Sequence, residues 1–151
     1  MHRKWIALAV LVLAAGLAAA SDQTDVMMTV NQFVDGFNKG DMKAASAVCA
    51  DQASIIDDFP PHTWSGSGAC AAWASDYEAF AKQNGLTDGI VTLAKPKHIE
   101  VTGDVAYVVI PADFTYMKQG KPTKEQGATF VLVLKKAAAS WRITAWTWGE
   151  Q

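Results

Sequence analysis

The hydrophobic period of this chain changes near Gly85, and that change limits the fold more than any single motif does. Before it, apolar residues recur every three or four positions; after it, they alternate. In residues 22–38, Val26, Val30, Phe33, Val34 and Phe37 form one stripe of a helix. Asn38-Lys39-Gly40-Asp41 predicts its end, with Gly40 in the left-handed position after it and Asp41 capping a short second helix, Met42 to Cys49. Ala53–Phe59 reads as a short strand running into a Pro60-Pro61 loop. A third helix is predicted after Ser67, with Cys70, Trp73, Ala74, Tyr77, Phe80 and Ala81 on one face and Asn84-Gly85 at its end.

Downstream, Gly89–Ala94, Lys97–Thr102, Val105–Met117, Glu125–Lys136 and Trp141–Trp148 read as strands. Pro96 marks a bend, Gly103-Asp104 and residues 119–122 mark turns, and Gly127 marks a bulge. This order predicts an α+β fold: three N-terminal helices packed on a strongly curved mixed or antiparallel sheet, forming a cone with an internal cavity. In the last strand Trp141, Ile143 and Ala145 alternate with Trp146 and Trp148, so both faces read as apolar. One face is expected on the helices and the other on a second copy, giving a homodimer through the sheet.

Residues 1–20 have the pattern of an export signal. Arg3 and Lys4 form the positive start, Trp5–Ala15 the apolar stretch, and Ala18-Ala19-Ala20 the small residues before cleavage at Ser21. An uncleaved anchor would need about 20 strongly apolar residues, and this run ends in Ala and Gly. The expectation is a signal peptide over 1–20 and one periplasmic or secreted domain over 21–151, with no membrane contact after cleavage. Removing Arg3 and Lys4 takes the formal net charge from −2 to −4, which argues against nucleic acid as a partner. In an oxidising compartment Cys49 and Cys70 are candidates for a disulfide; the alternative is two buried thiols.

Three segments together resemble the nuclear transport factor 2-like superfamily, in its SnoaL-like branch. They are Phe37-Asn38-Lys39-Gly40-Asp41 between the first helices, Cys49-Ala50-Asp51-Gln52-Ala53-Ser54-Ile55 leading into the first strand, and Trp141-Arg142-Ile143-Thr144-Ala145-Trp146 at the finish. The resemblance covers about residues 24–149. It implies the cone fold, and that fold hosts enzymes, binding modules and oligomerisation domains alike.

Among the ketosteroid isomerases of this fold, the general-base Asp lies seven residues into the segment that begins here at Ala50. The resemblance therefore points to Asp57, which in an apolar cavity would gain basicity. His62 could assist as acid or base. The isomerases' oxyanion-donating Tyr is replaced by Phe33, and their late-strand acid by about Thr129, so steroid isomerase activity is not implied. The other reading of Asp57 is a solvated carboxylate at a strand end.

Phe33, Phe37, Trp64, Trp73, Tyr77, Tyr107, Phe114, Tyr116, Trp146 and Trp148 are candidates to line a hydrophobic ligand cavity, with Asp113 as a polar candidate on an otherwise apolar strand. No metal or cofactor is expected, because no His cluster, CxxC, P-loop or dinucleotide glycine pattern is present. The function expected is binding of a small hydrophobic or aromatic molecule in the cavity. The alternatives are an Asp-based proton-transfer enzyme of isomerase, dehydratase or cyclase type, and a purely structural dimerisation domain.

Overall fold

The computed structural model describes residues 3–150, with side chains from Ala20 onward. The side chains of the expected leader, residues 1–20, therefore lie almost wholly outside the described residues. No helix of the described residues is long and apolar enough to cross a membrane.

Helix α1 spans Arg3–Asn38. Its expected stripe is the buried one: Val26, Val30, Phe33 and Val34 are all in the core. The turn that ends it has a physical division of labour. Gly40 takes a left-handed φ of 68°, and Asp41 Oδ1 accepts the Ala44 amide at 2.9 Å to cap α2, Met42–Ser46. Asn38 reaches further: its side-chain amide donates to the Val91 carbonyl at 2.9 Å and accepts the Val91 N–H at 2.7 Å. That pair imitates a strand partner and fixes the end of α1 against the sheet.

α2 is shorter than expected, and Cys49 opens strand β1, Cys49–Ile56, instead of ending the helix. β2, Thr63–Ser67, was not expected. Pro60 and Pro61 do end the ladder locally, but the loop is a hairpin: Asp57 N donates to His62 O at 3.0 Å, and β2 pairs antiparallel with β1 from Ile56↔Thr63 onward. Helix α3, Ala69–Asn84, follows and ends on left-handed Gly85.

The remaining strands are β3 (Leu86–Leu93), β4 (His98–Thr102), β5 (Val105–Lys118), β6 (Lys121–Ala137) and β7 (Ser140–Gly149). The sheet order is β2-β1-β7-β6-β5-β3, with β4 also on β5; only β1 and β7 run parallel. β3 and β4 share one edge of β5, on either side of Pro111, with Pro96 in the break between them. Three helices thus lie on one seven-stranded mixed sheet, an α+β fold whose sheet curves without closing.

Two bulges decide which side chains face inward. Between Ala112↔Ala128 and Phe114↔Glu125, one residue of β5 (Asp113) stands opposite two of β6, where Gly127 has φ 76°. The second lies between Val133↔Ala145 and Leu134↔Ile143, leaving Thr144 as the extra residue. It corrects the expected alternation of the last strand. Trp141, Ile143 and Trp146 are all buried on the inner side, and Trp148 packs against the same core, because the bulge shifts the parity by one.

Cys49 and Cys70 are joined in a disulfide that ties the start of β1 to α3, with Cα atoms 6.4 Å apart and a sequence separation of 21. A loop of that length gives about 3 kcal/mol in the chain-entropy view. Replacing both cysteines with Ala is expected to lower unfolding free energy by about that amount, read from urea denaturation under non-reducing conditions. Equal midpoints would mean the bond constrains nothing.

Candidate functional site

A cavity of about 210 Å³ lies between α1, α3 and the inner face of the sheet. Phe33 and Phe37 come from α1, and Trp73, Tyr77 and Phe80 from α3. Phe114, Phe130, Trp146 and Trp148 come from the sheet. The rings touch one another: Phe37 lies 5.0 Å from Tyr77 and 5.9 Å from Phe114, and Trp73 meets Trp146 edge-on at 4.9 Å. Gly89 makes room for this wall, since a Cβ there would stand 3.1 Å from the Phe114 ring and 3.2 Å from the Tyr77 hydroxyl. An apolar cavity of about 150 Å³ accepts benzene, so this one has room for a ring with a short substituent.

Asp57, one residue beyond β1, is the carboxylate of the wall. It is only 9% exposed, which decides against the solvated strand-end reading. Oδ2 accepts the Trp73 indole N–H at 2.7 Å and Oδ1 accepts the Asp58 amide at 2.9 Å. Burial pushes its pKa up to about 7, against the pull of those two donors. Both protonation states are therefore accessible near neutrality.

A second group of acids stands at the same cavity. Oxygens of Asp58, Glu125 and Glu150 lie within 4.8 Å of one another, and Asp58 and Glu125 line the cavity. A hydrogen bond with Asp58, partial burial and the charges of Asp58 and Glu125 push the Glu150 carboxyl up to about 7. Tyr116 donates to Glu125 Oε1 at 2.7 Å; burial and that carboxylate push its hydroxyl up to about 12. Tyr77, also in the wall, is likewise raised, chiefly by burial and then by Asp57.

Of the residues expected from sequence, Asp57, Phe33, Phe37, Trp73, Tyr77, Trp146 and Trp148 line this cavity. Four expected ones do not. His62 is exposed; its Nδ1 lies 3.0 Å from the Asp57 carbonyl, and its backbone closes the β1–β2 hairpin. Trp64 stands behind Phe59, 5.0 Å ring to ring, and donates to Asp76 Oδ2 at 2.8 Å. Tyr107 is 43% exposed on the outer face. Asp113 serves the bulge, accepting the Gly127 amide at 3.1 Å and pairing with Lys124 at 2.9 Å. Phe114 and Tyr116, expected on one face of their strand, also line the cavity. Glu125 and Glu150 were not expected at the site; Glu125 was missed because the Gly127 bulge reverses its face.

Three helices on a curved, open mixed sheet, with a cavity between the two layers, define an α+β class of fold. The sequence pattern of the SnoaL-like domain matches residues 26–147, and the chain belongs to that family. Among curated proteins, none matches the chain. Solved structures agree on the fold. A nuclear transport factor 2-like protein with a cystatin-like fold from Novosphingobium aromaticivorans superposes with a TM-score of 0.73 at 17% identity, covering 91% of this chain and 87% of its own. A nuclear transport factor 2-like superfamily protein from Salmonella enterica serovar Typhimurium gives 0.73 at 17% identity, with 87% and 92% covered. A ketosteroid isomerase-like protein from Erwinia carotovora gives 0.68 at 16% identity, with 85% and 95% covered.

The raised Asp57 pKa has a definite sign for stability. The folded state holds the proton more tightly than the unfolded chain, whose value is 3.8. The stabilising contribution is thus full below about pH 4 and is lost as pH rises through about 7. Asp57→Asn should gain on the wild type across that window, with a ceiling of about 4 kcal/mol at one pKa unit per 1.36 kcal/mol. Urea midpoints between pH 4 and 8 test this; a constant difference would show that Asp57 ionises normally.

Proposed function

We propose that this is an exported domain that holds a small hydrophobic or aromatic molecule in the cavity between α1, α3 and the sheet. The observation that carries the reading is the cavity of about 210 Å³, walled by aromatic rings and left unfilled by the protein's own side chains. A purely structural domain would gain stability by filling that space. The export signal in residues 1–20 supports a periplasmic or secreted location. The outer sheet face, with Val109, Val131, Val133 and Ala145 and with exposed Tyr107, is proposed to pair with a second copy. Native mass spectrometry of the protein purified from the periplasm without refolding is expected to show a dimer of the processed chain, each protomer carrying a small molecule. A bare polypeptide mass, together with unchanged thermal stability across a panel of monocyclic aromatics, would remove the ligand reading.

One observation favours a second reading, a proton-transfer enzyme. Asp57 is buried in the wall with a pKa brought to about 7, the poise of a general base near neutral pH. With no Tyr at Phe33, the hydroxyl nearest to that role in the wall is Tyr77, which its raised pKa keeps protonated and able to donate. On a substrate found by screening, Asp57→Asn should lower kcat by about 10²–10⁴-fold and leave binding intact. Retained turnover in that variant would rule the reading out.

A further inference from the structure

The carboxylates at this cavity are held in no ion pair. Asp57, Asp58 and Glu125 line it and Glu150 joins them at its edge, yet none forms an ion pair among the described residues. Their donors are the Trp73 indole, the Asp58 amide and the Tyr116 hydroxyl, besides the hydrogen bond that Glu150 shares with Asp58. A carboxylate has about four acceptor sites, so most of this capacity is unused. Among the described residues, the one cation lining the cavity is Lys118, on the exposed end of β5. Meanwhile the adjoining wall is aromatic, and aromatic faces attract cations.

Resting on the reading of the cavity as a ligand site, we propose that its ligand is a small aromatic amine bound as the ammonium ion. The ring occupies the cavity against the wall of Phe37, Trp73 and Tyr77, and the ammonium faces Asp58, Glu125 and Glu150. An ammonium carries three donors, and acidic oxygens within 4.8 Å of one another can share them. An anionic ligand would meet repulsion from the same oxygens. A neutral one would leave their charges unmet.

The test compares three probes of similar size by calorimetry on the processed protein: 2-phenylethylamine, 2-phenylethanol and 3-phenylpropionate. At pH 8 the amine should bind at least about tenfold tighter than the alcohol, with the acid weakest. The amine's advantage should shrink toward pH 5, as Glu150 and Asp57 take up protons while the ammonium stays charged. The other titratable groups facing the site are Asp58, Glu125, Tyr77, Tyr116 and Lys118. Asp58→Asn combined with Glu125→Gln should bring amine affinity down to that of the alcohol and leave the alcohol unchanged. Glu150→Gln, on the exposed residue after β7, should produce part of that loss without touching the core.

An alcohol that binds as tightly as the amine overturns the amine proposal and leaves the cavity reading standing. If none of the three binds, both fall. Equal weakening of all three probes in the folded variants also overturns the proposal, since the carboxylates would then shape the cavity without selecting charge.

Discussion

Two interruptions of strand pairing, opposite Asp113 and at Thr144, give the sheet its inner surface. A strand that keeps strict alternation presents every second residue to one face. A bulge breaks that rule once, bends the strand and adds twist. Here the first bulge brings Glu125 to the side that already holds Ala128 and Phe130. The second brings Trp146 and Trp148 to the side that holds Trp141 and Ile143. The aromatic wall and its acidic edge both depend on these parity shifts. Asp113 secures the first through the Gly127 amide, with Lys124 beside it. Thr144 is tied at the second by its hydroxyl donating to the Val133 carbonyl at 3.2 Å.

The bend also explains why space remains. α1 and α3 fill the narrow part of the curve, where small and branched residues such as Ala106, Val108 and Ile143 are fully buried. Around the cavity the lining is mostly large rings. They meet at their edges and tilt, with centroids about 5 to 6 Å apart, and tilted rings do not close a volume completely. The disulfide holds β1 near α3 at one side of this region. Asn38 holds β3 near α1 at the other. The elements around the cavity are therefore tied by one covalent bond and by one side-chain pair with the backbone.

Much of this was legible in the chain. The helical stripe from Val26 to Phe37, the Gly40–Asp41 break, the end of α3 at Gly85 and the Gly127 bulge all carry local chemistry that sequence displays. The motif positions also led to Asp57. Most of what stayed hidden on the late strands has one cause: parity. Thr144 is neither Gly nor Pro, so nothing local marks its bulge, and Trp141 and Trp146 read as opposite faces. Gly127 was visible, but its effect on Glu125 emerges only when the register with β5 is counted. β2 was hidden behind Pro60-Pro61, because a tight hairpin loop and a longer irregular loop share the same residues. Trp64 then seemed to be at the cavity when it packs one layer behind it.

The same geometry sets the electrostatic character of the site. Asp57 sits where burial opposes charge, and the Trp73 and Asp58 donors restrain that effect without cancelling it. Asp58, Glu125 and Glu150 crowd one another, and Glu150 responds by holding its proton more tightly. In both places the protein has brought acids together, and among the described residues none of them is held in an ion pair. A folded chain gains nothing from such an arrangement by itself: each buried or crowded carboxylate costs free energy that a Gln or Asn would spare. Unmet negative charge beside an aromatic wall is therefore a feature to be explained by what enters the cavity, and a cation with an apolar body answers both halves of it.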